Sequence, residues 1–211
     1  MFTGIVQELA PVVAIRREAG ITQLDIALSA AARRGLQGGA SVAINGTCLT
    51  VARQSEVSVG FDVIAETMAR TNLGDLTVDS QVNVERSAAF GDEIGGHRVS
   101  GHITGVARIS AITREEANRV MRFEVDRNWL RMLFHKGFVA LDGASLTISA
   151  VDREAACIEV SLIPETLART TLGTRDVGDR VNLEVDPQTQ AIVETVERLF
   201  LDPEWRRQIL P

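Results

Sequence analysis

Two stretches decide the fold: VAINGTCLTV (residues 42–51) and VALDGASLTI (residues 139–148). Each sets a β-rich run, an Asn-Gly or Asp-Gly pair and a second β-rich run in that order, the strongest short-range signal for a two-residue hairpin. Among the positions where the two differ, Cys48 in the first is answered by Ser145 in the second. Working outward, the likeness continues in the same order. ETMARTNLG (residues 66–74) returns as ETLARTTLG (residues 165–173), and VNVE (residues 82–85) returns as VNLE (residues 181–184). At the start, FTGIV (residues 2–6) is matched with ITGVA (residues 103–107). The offset drifts only slightly, so the insertions that separate the copies belong in loops. The chain is a duplication of one unit of about 97 residues. A solenoid needs three or more shorter units, so two long copies predict two similar domains side by side.

Each copy reads as β-structure. Val57, Val59 and Phe61 alternate on one face, as Ile158, Val160 and Leu162 do in the second copy. Short strands separated by Gly-rich turns predict a small closed barrel in each half. Residues 65–73, 164–172 and 128–134 break the alternation and predict short helices or turns. DPQTQAIVETVERLF (residues 186–200) has no counterpart, and Ile192, Val196, Leu199 and Phe200 fall at helical spacing. An amphipathic helix therefore follows the second barrel, either covering its own domain or packing on copies of itself.

Composition narrows the partners. Of 211 residues, 45% are hydrophobic and 24% charged, and the 22 Lys plus Arg against 28 Asp plus Glu leave a net charge of −6. Such a surface repels nucleic acid and anionic membranes, so a small-molecule partner is expected. The start MFTGIVQELA lacks the basic and apolar segments of a signal peptide, and no long apolar run predicts a membrane span. A cytoplasmic protein is expected. Cys48 and Cys157 form no disulfide framework; His97 and His102 lie close together but have no third ligand nearby, which argues against a metal site. No phosphate-cradling glycine motif is present.

The repeated polar pairs, Leu49-Thr50 with Leu146-Thr147 and Glu66-Thr67 with Glu165-Thr166, are explained by two related ligand pockets or by the same turns stabilised twice. The same choice holds for Arg70, Arg169, Glu85 and Glu184. The differences between copies carry the chemistry. In this register His102 faces only the chain start, and FHKG (residues 134–137) supplies Lys136 where QGGA (residues 37–40) has none. An imidazole with a pKa near 6.5 exchanges protons at neutral pH, and a thiol near 8.5 does so when perturbed. Each also has a plain structural reading, Cys48 as a small buried apolar residue and the histidine as a hydrogen-bonded one. Cys157, opposite Ser58, is read as structural.

MFTGIV, NGTCLTV, DGASLTI, ETMARTNLG, DEIGGHRVSGHI, LIPETLARTTLG and VNLEVDPQTQ together resemble the riboflavin synthase family of the α-chain type, over about residues 1 to 200. The resemblance implies an all-β fold of two tandem six-stranded Greek-key barrels plus a C-terminal amphipathic α-helix. It implies a homotrimer built around that helix, divided into units 1–97, 98–187 and 188–211. The implied reaction converts two molecules of 6,7-dimethyl-8-ribityllumazine into riboflavin and 5-amino-6-ribitylaminouracil by transfer of four carbons, without metal or redox cofactor. Each barrel would seat one lumazine, the active site forming where the first barrel of one subunit faces the second barrel of its neighbour. Association with lumazine synthase is left open.

By the same resemblance Ser41, Cys48, Leu49 and Thr50 form the first seat with Gly4, Ile5 and Val6, and with Asp62, Val63, Ile64, Ala65, Glu66 and Thr67. Gly101, His102, Ile103, Lys136, Ser145, Leu146 and Thr147 line the second with Ser161, Leu162, Ile163, Pro164, Glu165 and Thr166. His102 and Thr147, assisted by Ser145, are expected to move the proton of the 7-methyl group. Cys48, or a water beside it, would supply or polarise the nucleophile, Ser41 would assist there, and Asp186 would orient a partner across the interface. The alternatives are a related protein that holds a lumazine or flavin as an optical antenna without turnover, and a two-barrel binding module.

Overall fold

The computed structural model describes residues 1–18, 20–115 and 117–209. The first six strands are β1 (Glu8–Glu18), β2 (Ile21–Ile26), β3 (Ser41–Ile44), β4 (Thr47–Gln54), β5 (Val59–Ile64) and β6 (Gln81–Arg86). They close into an antiparallel barrel in the order β1-β2-β5-β4-β3-β6. The next six are β7 (Gly105–Glu115), β8 (Asn118–Glu124), β9 (Phe138–Leu141), β10 (Ala144–Asp152), β11 (Cys157–Leu162) and β12 (Arg180–Val185), which close in the same permutation. The helices are α1 (Ala30–Arg33), α2 (Ala65–Arg70), α3 (Pro164–Arg169), α4 (Pro187–Leu201) and α5 (Pro203–Ile209). None is long and apolar enough to cross a membrane.

The opening hairpins form as their turn residues dictate. Asn45 and Gly46 take φ of 44° and 78°, and Asp142 and Gly143 take 45° and 82°, so both central residues are left-handed as a type I′ turn requires. Period-two alternation fills each barrel: Leu24, Ile44, Phe61 and Val84 in the first, Ile109, Met121, Leu141 and Val160 in the second, all at most 1% exposed. Both barrels bend at matching register shifts, Val51/Arg53 in β4 and Ile148/Ala150 in β10. A bulge adds local twist, which lets so few strands close.

Some sequence expectations need correction. Val57 precedes β5 and is 68% exposed, because the Ser55 hydroxyl accepts from the Val57 and Ser58 N–H groups and holds a tight turn there. Residues 128–134 do turn, as expected, beginning in the 3-10 turn Arg127–Trp129 that the Asp126 side chain starts. Residues 186–200 do form α4, with Asp186 as its cap. Val193 packs against the second core, while Ile192, Val196 and Phe200 stay exposed.

The barrels meet turn to turn across a buried polar network. The Asn182 amide donates to the Asn45 carbonyl at 2.8 Å and its oxygen accepts from Asn72 N–H at 2.7 Å. Related by the duplication, the Asn83 amide donates to the Asp142 carbonyl at 2.8 Å and its oxygen accepts from Thr171 N–H at 2.8 Å. The asparagines of VNVE and VNLE thus close the backbone groups that the hairpin tips leave open, where a buried unpaired group would cost about 1–3 kcal/mol. One break in symmetry is charged. Asp142 replaces Asn45, and Arg175 pairs with it at 3.0 Å from the place that Leu76 holds in the first copy.

Candidate functional site

The structure first re-registers the repeat. Glu85 accepts from the Thr3 N–H and hydroxyl at 2.6 and 2.8 Å and from Gly4 N–H at 3.1 Å. Glu184 accepts from the Ser100 N–H and hydroxyl at 2.6 and 2.8 Å and from Gly101 N–H at 3.0 Å. FTGIV therefore corresponds to VSGHI (residues 99–103), not to ITGVA, and the first-copy counterpart of His102 is Ile5, not the chain start. Burial pushes both glutamates up while the hydrogen bonds hold them down. Their role is to clip these two segments in place.

The clipped segments cross over. Gly4, Ile5 and Val6 were expected beside Cys48, but Ser145 N–H donates to the Gly4 carbonyl at 2.8 Å. Conversely Gly101, expected beside Ser145, accepts from Cys48 N–H at 2.9 Å. A Cβ on Gly101 would lie 2.5 Å from the Cys48 Cβ, and one on Gly4 2.5 Å from the Ser145 Cβ, so only glycine permits these approaches. Phe2 and Val99 pair with each other between the barrels, each donating its N–H to the other's carbonyl. Each barrel thus borrows its neighbour's leading segment. The reason is pairing: β4 and β10 have their tips turned towards the other barrel, where the Cys48 and Ser145 N–H groups find their partners in the segment leading into that barrel.

The seats that result are unequal. At the first, Cys48 on β4 stands half-buried beside Gly101, with His102 exposed next to it, Thr50 exposed further along the strand and Ser41 opposite Thr50 on β3. At the second, Ser145 on β10 stands beside Gly4, with Ile5 in place of His102, Thr147 in place of Thr50, and Phe138 in place of Ser41. Ser145 and Ala144 line a cavity of about 320 Å3 with Gly4, Ile5, Val6, Glu165, Thr166 and Arg169. Both seats face outward. Alternation sends Leu49, Val63 and Leu162 into the cores at no more than 6% exposure and packs Leu146 against one, so those residues offer a ligand only their main chain. Ile64, Ser161, Ile163, Ala65 and Pro164 point to solvent at the ends of β5 and β11.

Several expected polar groups are already engaged. Asp62 is exposed but ion-paired with Arg53. Glu66 and Glu165 pair one turn along α2 and α3 with Arg70 and Arg169, at 3.0 and 2.7 Å, leaving Thr67 and Thr166 half-buried beside them. Asp186 accepts from Thr189 N–H and hydroxyl at 3.0 and 2.7 Å, so its carboxylate starts α4. Ile103 follows His102, half-buried.

Lys136 is exposed with φ of 64°, where the first copy has Gly39 at 86°. A non-glycine residue there costs about 1–2 kcal/mol. Lys136→Gly is therefore expected to raise the unfolding free energy by about 1 kcal/mol, which chemical denaturation reads.

One functional candidate was missed in the sequence. His97 is only 6% exposed, lies flat on Phe138 with ring centroids 5.1 Å apart, and sets its Nδ1 2.6 Å from the Ser145 Oγ. Its burial holds it below the ordinary histidine range. The sequence signal was faint, a second histidine in the same connection weighed only as a metal ligand.

Comparison with known proteins agrees with this geometry. The Lumazine binding domain model matches twice, over residues 3–87 and 100–186. The chain is 49% identical over 201 residues to riboflavin synthase of Escherichia coli (strain K12), covering 95% of this chain and 93% of that one. It is 43% identical over 200 residues to riboflavin synthase of Chlamydia pneumoniae, covering 95% and 97%. Among solved structures, LumP complexed with 6,7-dimethyl-8-(1'-D-ribityl) lumazine superposes with a TM-score of 0.79 at 25% identity, covering 88% of this chain and 99% of that chain. LumP complexed with riboflavin gives a TM-score of 0.81 at 26% identity over the same shares. With two copies of the domain, two crossed-over seats and close likeness along nearly its whole length, the chain belongs to the lumazine-binding domain family and, within it, to the riboflavin synthases.

Proposed function

We propose that the chain condenses two 6,7-dimethyl-8-ribityllumazine molecules, one held on each kind of seat, into riboflavin and 5-amino-6-ribitylaminouracil. The atoms of the two products equal those of the two substrates, so the exchange needs no external oxidant or reductant. The observation that carries the reading is the crossed pair of main-chain bonds at Cys48 and Ser145, which builds two similar ring platforms with unlike side chains. One ring must lose a proton from its 7-methyl group and the other must accept attack. His102, beside Cys48, and Thr147, on the second barrel, meet at one reaction centre when a first seat faces the second seat of another copy. The seats support such a closure, because they open outward beside the exposed Ile5, Ile64, Ile163 and Phe138, each between 47% and 57% exposed. Apolar surface of this kind around a polar centre is what a second protein surface covers. A homotrimer held by the exposed face of α4 satisfies the requirement, with units 1–97 and 98–187 carrying the seats and 188–211 the contact. Orienting two rings in opposed register supplies up to about 7–11 kcal/mol of the barrier.

Incubation of the pure protein with the lumazine alone tests the reading. Riboflavin and the aminouracil are expected in equal amounts; binding without product would leave the antenna alternative, and no binding would overturn both. For His102→Ala, turnover is expected to fall about 100-fold with lumazine binding largely kept, and unchanged turnover would remove His102 from the reaction.

A further inference from the structure

Each seat receives one histidine, but from different positions and in different states. His102 stands exposed at the first seat. His97 is buried behind the second, against Ser145, two residues ahead of the Val99 that answers Phe2. Three differences accompany it: Ser145 for Cys48, Phe138 for Ser41 and Ile5 for His102. Phe138 supplies the face on which the imidazole lies.

The hydrogen-bond balance assigns the tautomer. Nε2 is buried and meets no partner among the described residues. A proton on Nε2 would leave a buried N–H unpaired, the rarer and costlier defect, whereas a proton on Nδ1 leaves only an unshared lone pair there. A serine–histidine nucleophile would need the reverse, with Nε2–H held by an orienting acceptor. The carboxylate whose charge acts on the ring is Asp186, and it is engaged in capping α4. Burial also disfavours the imidazolium.

We propose that His97 is a positioning residue: its Nδ1–H donates to the Ser145 Oγ and so turns the serine hydroxyl outward as a hydrogen-bond donor to the lumazine on the second seat. A donor there stabilises negative charge, which makes the second seat the place of the ring that loses its 7-methyl proton. Cys48, with no histidine behind it, cannot be set in the same way. The inference rests on the assignment of the second seat made under the proposed function.

The test combines a spectroscopic and a kinetic arm. In the intact protein, 15N shifts of the His97 ring are expected to place the proton on Nδ1; a proton on Nε2 overturns the proposal without any variant being made. In steady-state kinetics, His97→Leu keeps the apolar contact with Phe138 and removes the donor. It is expected to lower kcat about tenfold, the value of one net hydrogen bond, with KM changed less than twofold. His97→Asn, whose side-chain N–H reaches the same point, is expected to restore most of the loss. In a Ser145→Ala background the His97→Leu change is expected to have no further effect. Multiplying losses in the double variant, or failure of asparagine to rescue, overturn the positioning role while leaving the seat intact. Unchanged kinetics in Ser145→Ala alone remove the seat assignment itself, and the proposal with it.

Discussion

Replacing Arg175 with leucine is expected to lower the unfolding free energy by about 3–5 kcal/mol, the range for breaking a buried ion pair from one side. Asp142 is fully buried, with Oδ2 accepting from Arg175 at 3.0 Å and Thr171 at 3.3 Å, and Oδ1 accepting from Asn182 N–H at 2.8 Å and the Asn72 amide at 2.7 Å. Without the guanidinium the carboxylate is held by neutral donors alone. The first copy shows what the same place tolerates without charge, since Asn45 accepts from Asn83 N–H at 2.8 Å with Leu76 nearby in sequence order at the Arg175 position. Adding Asp142→Asn to Arg175→Leu is therefore expected to recover most of the loss. Urea denaturation of the parent, single and double variants decides the matter. A single variant within about 1 kcal/mol of the parent, the range of an exposed pair, would show that Arg175 does not hold the interface.

The same carboxyl predicts a pH effect. Burial pushes Asp142 up, and Arg175 is the first of the groups that hold it down. Removing Arg175 raises it further above its unfolded value, so between the two values the folded chain binds the extra proton. Stability of Arg175→Leu is then expected to rise as the pH falls towards the ordinary carboxylate range, and to decline as the pH rises through the raised value.

Gly101→Ala is expected to cut turnover by about 100-fold or more, the cost of misplacing a reacting group by about an ångström. At φ of 83° an L-residue is strained, and its Cβ would sit 2.5 Å from the Cys48 Cβ and 2.9 Å from the Phe2 ring. Relief requires the 99–103 segment to leave β4, which breaks the Cys48 N–H bond and carries His102 away. The second barrel borrows a different segment, so its seat should persist. Fluorescence titration is expected to find one lumazine per chain in the variant and two in the parent, with Gly4→Ala losing the opposite seat. Two retained sites in Gly101→Ala would mean that the crossed segments do not build the seats.

The barrels were legible because their determinants are local. Asn-Gly and Asp-Gly set the hairpins, alternation set the inward faces, and Ile192, Val196, Leu199 and Phe200 at helical spacing set α4. The seats were legible only in part. Cys48, Ser145, Thr50 and Thr147 could be singled out because the chain carries its own comparison. Asn83 and Asn182 were visible as repeated letters, but nothing in their spacing says that they reach into the opposite barrel. His97 lay one short motif away from His102 and was weighed against the wrong chemistry.

By itself the sequence determined that one β-barrel unit was written twice, that the copies diverged at Cys48 and Ser145, and which family the motifs resemble. Those are statements about local backbone preference and about likeness between segments of one chain. Only the tertiary structure decided which segment serves which seat, since Gly4 against Ser145 and Gly101 against Cys48 are main-chain contacts that glutamates 85 and 184 enforce from far along the chain. It also decided that His97 stands behind Ser145. A backbone carbonyl has no letter of its own, and burial is a property of the packed chain, so neither could be read before the barrels were set side by side.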